Sequence, residues 1–423
     1  MDYRYSCLPN GLKIVTVPME HRNSVGIAIW VRVGSRYEAK RISGISHFLE
    51  HMVFKGTKKR TTRQIKEEIE GVGGLLNAFT GEEATCYYAK LPAARGMQAL
   101  DVLADMVNDA TLKPDEFKRE RPVVLEEIKM YKDQPSHYVH EMMGELLWHK
   151  QPLGRPIAGT LASVAAMSRL DMQAYKKKYY VPGNCMVIAA GAVDHRDMLR
   201  ACAEHFTHSG HGEDRVFPQA VERQNKPQTS FFEKETEQVH FVVATHALSR
   251  YHPDWYAQAV LNMLLGGNMS SRLFEEVREQ RGLAYDIRSS VSGYEDTGAF
   301  TISAGVETGK TEKALQVILK ELAKIIKKEV PNDELARAKE YLVSQLEMTL
   351  EDTMEYALWV GERALYGGHL PQPEGIKANI MAVSAADVRR VSQDMFKTKK
   401  LNLTLIGPVK EKVQQRLKRS LEI

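Results

Sequence analysis

No uninterrupted apolar run of about 20 residues occurs in the chain, which excludes a membrane-spanning helix. Cysteine is scarce. Cys7, Cys86, Cys185 and Cys202 are scattered and form no Cys-x-x-Cys pair, so they read as reduced, part-buried thiols of a cytosolic protein. An excess of one charge is missing too. A formal net charge of +4 is small for 423 residues and leaves no nucleic-acid footprint. The first residues, Met1-Asp2-Tyr3-Arg4-Tyr5-Ser6-Cys7, hold no basic segment followed by an apolar one, so no secretory signal is expected and the cytoplasm is the expected compartment.

What remains is a globular chain, 43% hydrophobic and 26% charged, and too long for one ordinary core. Its first 40 residues read as strands. Residues 11–17 are β-branched and follow the turn signal Pro9-Asn10, and residues 24–34 alternate as a central strand does. Residues 62–69 read as a helix that ends near Gly71-Val72-Gly73-Gly74. Residues 75–90 read as two extended segments around a turn at Gly81. Helical periodicity follows over 94–108 and again from Pro114 to about Met130, with acidic residues in the opening turns of the latter.

Between the strands and those helices lies His47-Phe48-Leu49-Glu50-His51. On a helix His47 and His51 are four residues apart and project from one face, where two imidazoles can share one Zn²⁺ at about 2.0–2.1 Å each. Glu50 borders the same face, as a base acting on a metal-activated water requires. Five residues are easily matched by chance, and a solvated helix face is the ordinary alternative. Ile45, Phe48, Leu49, Met52 and Val53, however, form an apolar stripe that would bury this helix, with Gly44 and Gly56 as punctuation. Buried polar groups without partners are costly, so the two His and the Glu need a reason to be there. A third ligand from elsewhere would leave a fourth position for water. The helix from Pro114 offers Glu116, Glu120, Glu126 and Glu127. Glu120 and Glu127 lie near one face, Glu126 points about 100° away from Glu127, and periodicity alone does not choose among the four.

The segments His47-Phe48-Leu49-Glu50-His51-Met52-x-Phe54-Lys55-Gly56-Thr57, Asn77-Ala78-x-Thr80 and Glu120-Arg121-x-Val123-Val124-x-x-Glu127-Ile128 together resemble the pitrilysin family of zinc peptidases. The nearest branch is similar to the mitochondrial processing peptidase beta subunit and its short bacterial relatives. The resemblance implies His47, His51 and Glu127 as ligands of one zinc per chain, Glu50 as general base and Glu120 as a supporting carboxylate. It also implies that residues 77–80 belong to an edge strand that pairs with an extended peptide, with Asn77 as a substrate contact. An ordinary hairpin is the alternative for those side chains.

The second half repeats the first. Lys113-Pro114-Asp115-Glu116-Phe117 has a counterpart in Val330-Pro331-Asn332-Asp333-Glu334-Leu335, and this alignment brings Glu127 onto Gln345 and Glu120 onto Ala338. Residues 184–191 and 401–407 each close a half with a strand running into Gly. The expected class is α+β: two similar domains by internal duplication, each a mostly antiparallel sheet packed with helices. The expected boundaries are 1–208 for the zinc-binding domain, 209–229 for a polar linker with Gly210, Gly212, Pro218 and Pro227, and 230–423 for a domain without metal ligands. In that second half residues 270–278 read as a helix, followed by a passage into a strand at Tyr285. Arg278 and Tyr285 match the family's Arg-x-x-x-x-x-x-Tyr segment, which implies that they reach the catalytic centre and hold the substrate carbonyl and the developing oxyanion. A surface salt bridge of Arg278 with Glu275 and a half-buried strand position for Tyr285 are the ordinary alternatives.

The expected activity is zinc-dependent endopeptidase action on peptides or unfolded, presequence-like segments. A non-catalytic subunit of a larger complex with the same fold is the second reading, and an inactive peptide-binding partner the third. Long members of the family carry four such domains in one chain and this sequence holds two, so the resemblance implies a homodimer, or a heterodimer with a related chain. A mitochondrial matrix protein is the alternative compartment if a presequence has been removed.

Overall fold

The computed structural model describes residues 3–207, 217–367, 370 and 372–423. The chain divides into two compact units that are not contiguous stretches of sequence. Unit 1 takes Met1–Lys129, Arg155–Pro218 and Glu347–Pro371; unit 2 takes Met130–Gly154, Gln219–Leu346 and Gln372–Ile423. This differs from the contiguous boundaries expected from sequence, since each half of the chain gives one helical segment to the other half's unit. Of the expected linker, 209–216 lie outside the described residues. Residues 217–227 carry no regular secondary structure.

Unit 1 is built on six strands: β1 (Arg4–Cys7), β2 (Lys13–Pro18), β3 (Ser24–Val31), β4 (Leu75–Thr80), β5 (Thr85–Pro92) and β6 (Cys185–Gly191). Their order is β1-β2-β6-β3-β5-β4. Only β2 and β6 run parallel; the other pairs are antiparallel. β3 is buried along nearly its whole length, as its alternation of Val, Ile and Trp with small residues allows for a strand covered on both faces. One face packs against the helices Ile45–Val53 and Gly96–Asp109, and the core there runs from Leu12 and Ile27 to Phe48, Leu103 and Val107. The other face is covered by the helix Thr353–Gly367, supplied by the far end of the chain. The approach is close: a Cβ on Gly361 would lie 2.1 Å from Trp30 Nε1, so only glycine fits. β4 ends the sheet order and its outer edge is unpaired within the described residues.

Unit 2 repeats this plan with five strands: β7 (Gln228–Glu233), β8 (Gln238–Ala247), β9 (Ala284–Gly293), β10 (Gly298–Glu307) and β11 (Asn402–Gly407), in the order β7-β11-β8-β10-β9. Again a single pair, β7 with β11, is parallel. The two orders superimpose when β7, β11, β8, β10 and β9 stand for β2, β6, β3, β5 and β4. The helix Pro135–Leu147 covers one face of this sheet, burying Val139, Met143 and Leu147 against Val242, Ala244 and Ile406. Each fully buried Val, Leu or Met side chain contributes roughly 1.5–3 kcal/mol, so three such residues hold the helix firmly in place. Thr404 Oγ1 also donates to the Val139 carbonyl at 3.0 Å. Both units are therefore α+β with mostly antiparallel sheets, as the duplicated sequence indicates. Among the described residues no helix is long and apolar enough to cross a membrane.

Candidate metal centre

The helix Ile45–Val53 is set by burial and by an unusual cap. Ile45, Phe48, Leu49, Met52 and Val53 are all fully buried. Gly44 stands at the N-cap with φ +92°, where a side chain would be strained, and a Cβ there would meet the Ala158 carbonyl oxygen at 2.4 Å. Glycine has no side chain with which to cap, so the first turn's amides turn elsewhere. The Glu38 carboxylate accepts from Gly44 N at 2.6 Å and from Ser46 N at 2.8 Å. Glu38 is itself buried, and that burial, only partly opposed by the two amides, pushes its carboxyl up to about 8.

The helix Pro114–Asp133 meets this helix through Phe48, which stacks on Phe117 with ring centroids 4.9 Å apart and planes at 18°. Phe117, Glu120, Val124 and Ile128 are its buried positions, and Glu127 shares their side of the helix. The consequence is a cluster. His47 Nε2 lies 3.6 Å from Glu127 Oε1, and His51 Nε2 lies 3.3 Å from Glu127 Oε2. The three side chains each offer a ligand atom within 4.8 Å of the others, the one group of this kind among the described residues. Two donors that each sit about 2.0–2.1 Å from a tetrahedral ion are about 3.3–3.4 Å apart, so the observed spacing suits one zinc. Their side chains are 13, 21 and 21% exposed, which leaves an open side for a water.

Of the four carboxylates open from sequence, the structure separates three. Glu116 pairs with Arg119 and the exposed Glu126 with Lys129, while Glu127 reaches both imidazoles. Glu120 takes a different position. Its Oε1 is 2.9 Å from His51 Nδ1 and its Oε2 is 2.6 Å from Lys55 Nζ. This fixes the His51 ring with Nε2 toward Glu127, the orientation a metal ligand needs. Burial works against ionised Glu120, but His51 and Lys55 outweigh it and its carboxyl is lowered. For His51 burial likewise disfavours the charged ring, and the hydrogen bonds to Glu120 and Glu127 overcome it, raising the imidazole to about 9 without an ion. His47 Nδ1 is buried and has no hydrogen-bond partner among the described residues, so the two ligand rings are not held alike.

Glu50 lies beside the cluster on the same helix. Its Oε2 accepts from Thr80 Oγ1, at the end of β4, at 2.5 Å. The buried Cys86 thiol is raised first by its burial and then by the Glu50 charge. Asn77 is on the edge strand β4, three residues before Thr80, so its side chain lies on the opposite face of the sheet from the metal helix. Its Oδ1 accepts from the Ala78 amide at 2.8 Å.

Arg278 and Tyr285 belong to unit 2. The helix expected over 270–278 is found from residue 272, and its stretch Phe274–Glu279 is π-helical, a conformation that is rare and concentrated at functional sites. The Arg278 guanidinium carbon lies 4.6 Å from the Phe274 ring centroid and 5.1 Å from that of Tyr285. Its ion pair is with Glu279, Nε to Oε1 at 3.7 Å, rather than with Glu275. Tyr285 opens β9 and is 77% exposed, not half-buried. Arg278 and Tyr285 thus present one stacked, partly solvated pair.

Residues 13–161 match the family described as insulinase (peptidase family M16), and residues 166–342 match the peptidase M16 inactive domain. The chain is 36% identical over 420 residues to an uncharacterised zinc protease of Streptomyces coelicolor, covering 98% of this chain and 91% of that protein. The chain belongs to peptidase family M16. A second relative, the uncharacterised zinc protease YmxG of Bacillus subtilis, is also 36% identical, over 96% of this chain and 98% of its own. The crystal structure of a protease from Helicobacter pylori shares the fold with a TM-score of 0.90 at 24% identity, over 96% of this chain and 99% of that one. The clustered His47, His51 and Glu127 fall inside the first match, and Arg278 and Tyr285 inside the second.

Three residues of this site, Lys55, Thr80 and Glu38, were given no role from the sequence. Lys55 follows His51 by four positions, a helical spacing that was there to be used. Thr80 is 30 residues from the Glu50 it holds, and Glu38 reaches Gly44 N and Ser46 N from six and eight residues away, ahead of the helix and at no helical spacing.

Proposed function

We propose that this chain is a zinc-dependent endopeptidase that hydrolyses extended or unfolded peptides, with one zinc per chain held by His47, His51 and Glu127. The cluster of those three side chains at zinc-matching separations is the observation that carries the reading. When bound, the zinc supplies Lewis-acid activation of a water and polarises the scissile carbonyl. Glu50 takes the proton of the attacking water at a carboxylate oxygen and delivers it to the leaving amine nitrogen. Glu120 holds His51 through Nδ1, and Lys55 keeps Glu120 charged and in place. The open edge of β4 accepts an extended substrate as an added strand, which selects for unfolded segments, presequence-like ones among them. Asn77 contacts that strand. Arg278 and Tyr285 stabilise the tetrahedral intermediate as donors to its oxyanion. The chain acts as a homodimer.

The test is cleavage of an internally quenched unfolded peptide by the purified chain, with and without a chelator, alongside Glu50→Gln. Chelation should abolish cleavage and added zinc restore it. Glu50→Gln should keep its zinc and lose roughly 10²–10⁴-fold in kcat, the usual worth of a general base. A fully active Glu50→Gln, or cleavage indifferent to the chelator, would refute this reading.

A further inference from the structure

Glu50 carries three side-chain torsions, and a freely rotating glutamate loses up to about 2 kcal/mol of rotamer freedom when it is fixed. A base that must meet a water at a set point needs something to fix it. Among the described residues the hydrogen bond given to its carboxylate is the one from Thr80, 2.5 Å from Oγ1 to Oε2, in the short range of charge-assisted O–H···O⁻ bonds. That bond occupies Oε2 and leaves Oε1 for the water. Thr80 is itself rigidly placed. It pairs with Thr85 at the end of the β4–β5 ladder, and the next residue closes the turn through Gly81 N to the Ala84 carbonyl at 2.8 Å. The Gly81 carbonyl accepts from Ser35 N at 3.1 Å, which ties the turn to a second loop. The strand that holds the base is also the edge strand of the sheet, so a peptide adding to β4 would lie on the backbone from which Glu50 is held.

We infer that Thr80 is the positioning residue for the catalytic base Glu50, and that it couples occupancy of the edge strand to the orientation of the carboxylate. This deepens the proposed peptidase mechanism and rests on it. The Thr80 side chain touches neither the water nor the peptide in this account; it acts through Glu50.

The test compares wild type, Thr80→Val and Thr80→Ser on the same quenched peptide, with zinc content and urea unfolding measured for each. Thr80→Val keeps the shape and the β-branching that a strand favours and removes the hydroxyl. It should keep its zinc and its unfolding midpoint, lose about 10-fold in kcat and change KM by less than about twofold, as a misplaced group does. Thr80→Ser should restore kcat to within about twofold of wild type. A Thr80→Val enzyme with wild-type kcat, a loss that follows zinc or stability, or a failure of Thr80→Ser to rescue would each overturn the inference. If Glu50→Gln is inactive while Thr80→Val is unimpaired, the inference alone fails; if Glu50→Gln is active, the mechanism beneath it fails as well.

Discussion

The two units set a helix in corresponding places, after β3 in unit 1 and after β8 in unit 2, and each helix carries two polar residues four apart. In unit 1 these are His47 and His51; in unit 2, on the helix Trp255–Leu265, they are Gln258 and Asn262, both buried. Their amide oxygens are taken up within the unit, while Gln258 Nε2 has no partner among the described residues. Gln258 Oε1 accepts from the Leu248 amide at 2.9 Å, and Asn262 Oδ1 accepts from Ser289 Oγ at 2.7 Å. The imidazoles instead turn their Nε2 atoms toward Glu127. A buried polar pair must find partners, and the partner decides what the helix is for. Where main chain and a serine answer, the helix is structural; where a carboxylate answers from a neighbouring helix, the three groups can hold a cation.

The sharpest way to break that contrast is to give unit 1 the side chain its counterpart carries. Gln345 stands in the second half where Glu127 stands in the first. Glu127→Gln should weaken zinc binding by roughly 100-fold or more, since losing a ligand exceeds the 10- to 100-fold cost of losing a supporting partner. Competitive titration against a zinc-binding dye measures this, and peptidase activity should vanish with the metal. Unchanged affinity would mean that the cluster is not the zinc site.

A smaller effect separates the caps of the two helices. The Asp254 carboxylate, before the unit 2 helix, is held below the usual range chiefly by its hydrogen bonds to Arg390. Glu38, before the metal helix, is raised to about 8 by burial. A carboxyl raised on folding keeps its proton in the native state after the unfolded chain has lost it. Its contribution to stability is therefore full below about pH 4.5 and is lost as pH rises through about 8. Glu38→Gln has no such proton. Between pH 5 and pH 8 the wild-type Tm should therefore fall relative to that of Glu38→Gln by several degrees. Parallel pH profiles from calorimetry would show that Glu38 does not titrate in this window.

Much of this was readable in the sequence for a physical reason: it lay in local periods. The apolar stripe of Ile45, Phe48, Leu49, Met52 and Val53 could belong only to a buried helix, and the alternation through Trp30 only to a covered strand. The paired openings at Pro114 and Pro331 announced a duplication, which the matching strand orders display. The exchange of helical segments was not readable. The stripe of Val139, Met143 and Leu147 says that the helix is covered, but not which sheet covers it. The same limit hid the role of Thr80, whose hydrogen bond to Glu50 joins residues 30 apart in sequence. Periodicity alone left four carboxylates open on one helix and the resemblance pointed to Glu127; the stacking of Phe48 on Phe117 sets the facing of the two helices.

X-ray absorption at the zinc edge of the purified chain bears most directly on the central claim. The account predicts one zinc per chain, with scattering from two imidazoles and from oxygen at about 2.0–2.1 Å and no sulfur in the first shell. A chain purified without zinc that takes none up on titration, or one whose zinc is bound by thiolate at about 2.3 Å, would contradict it.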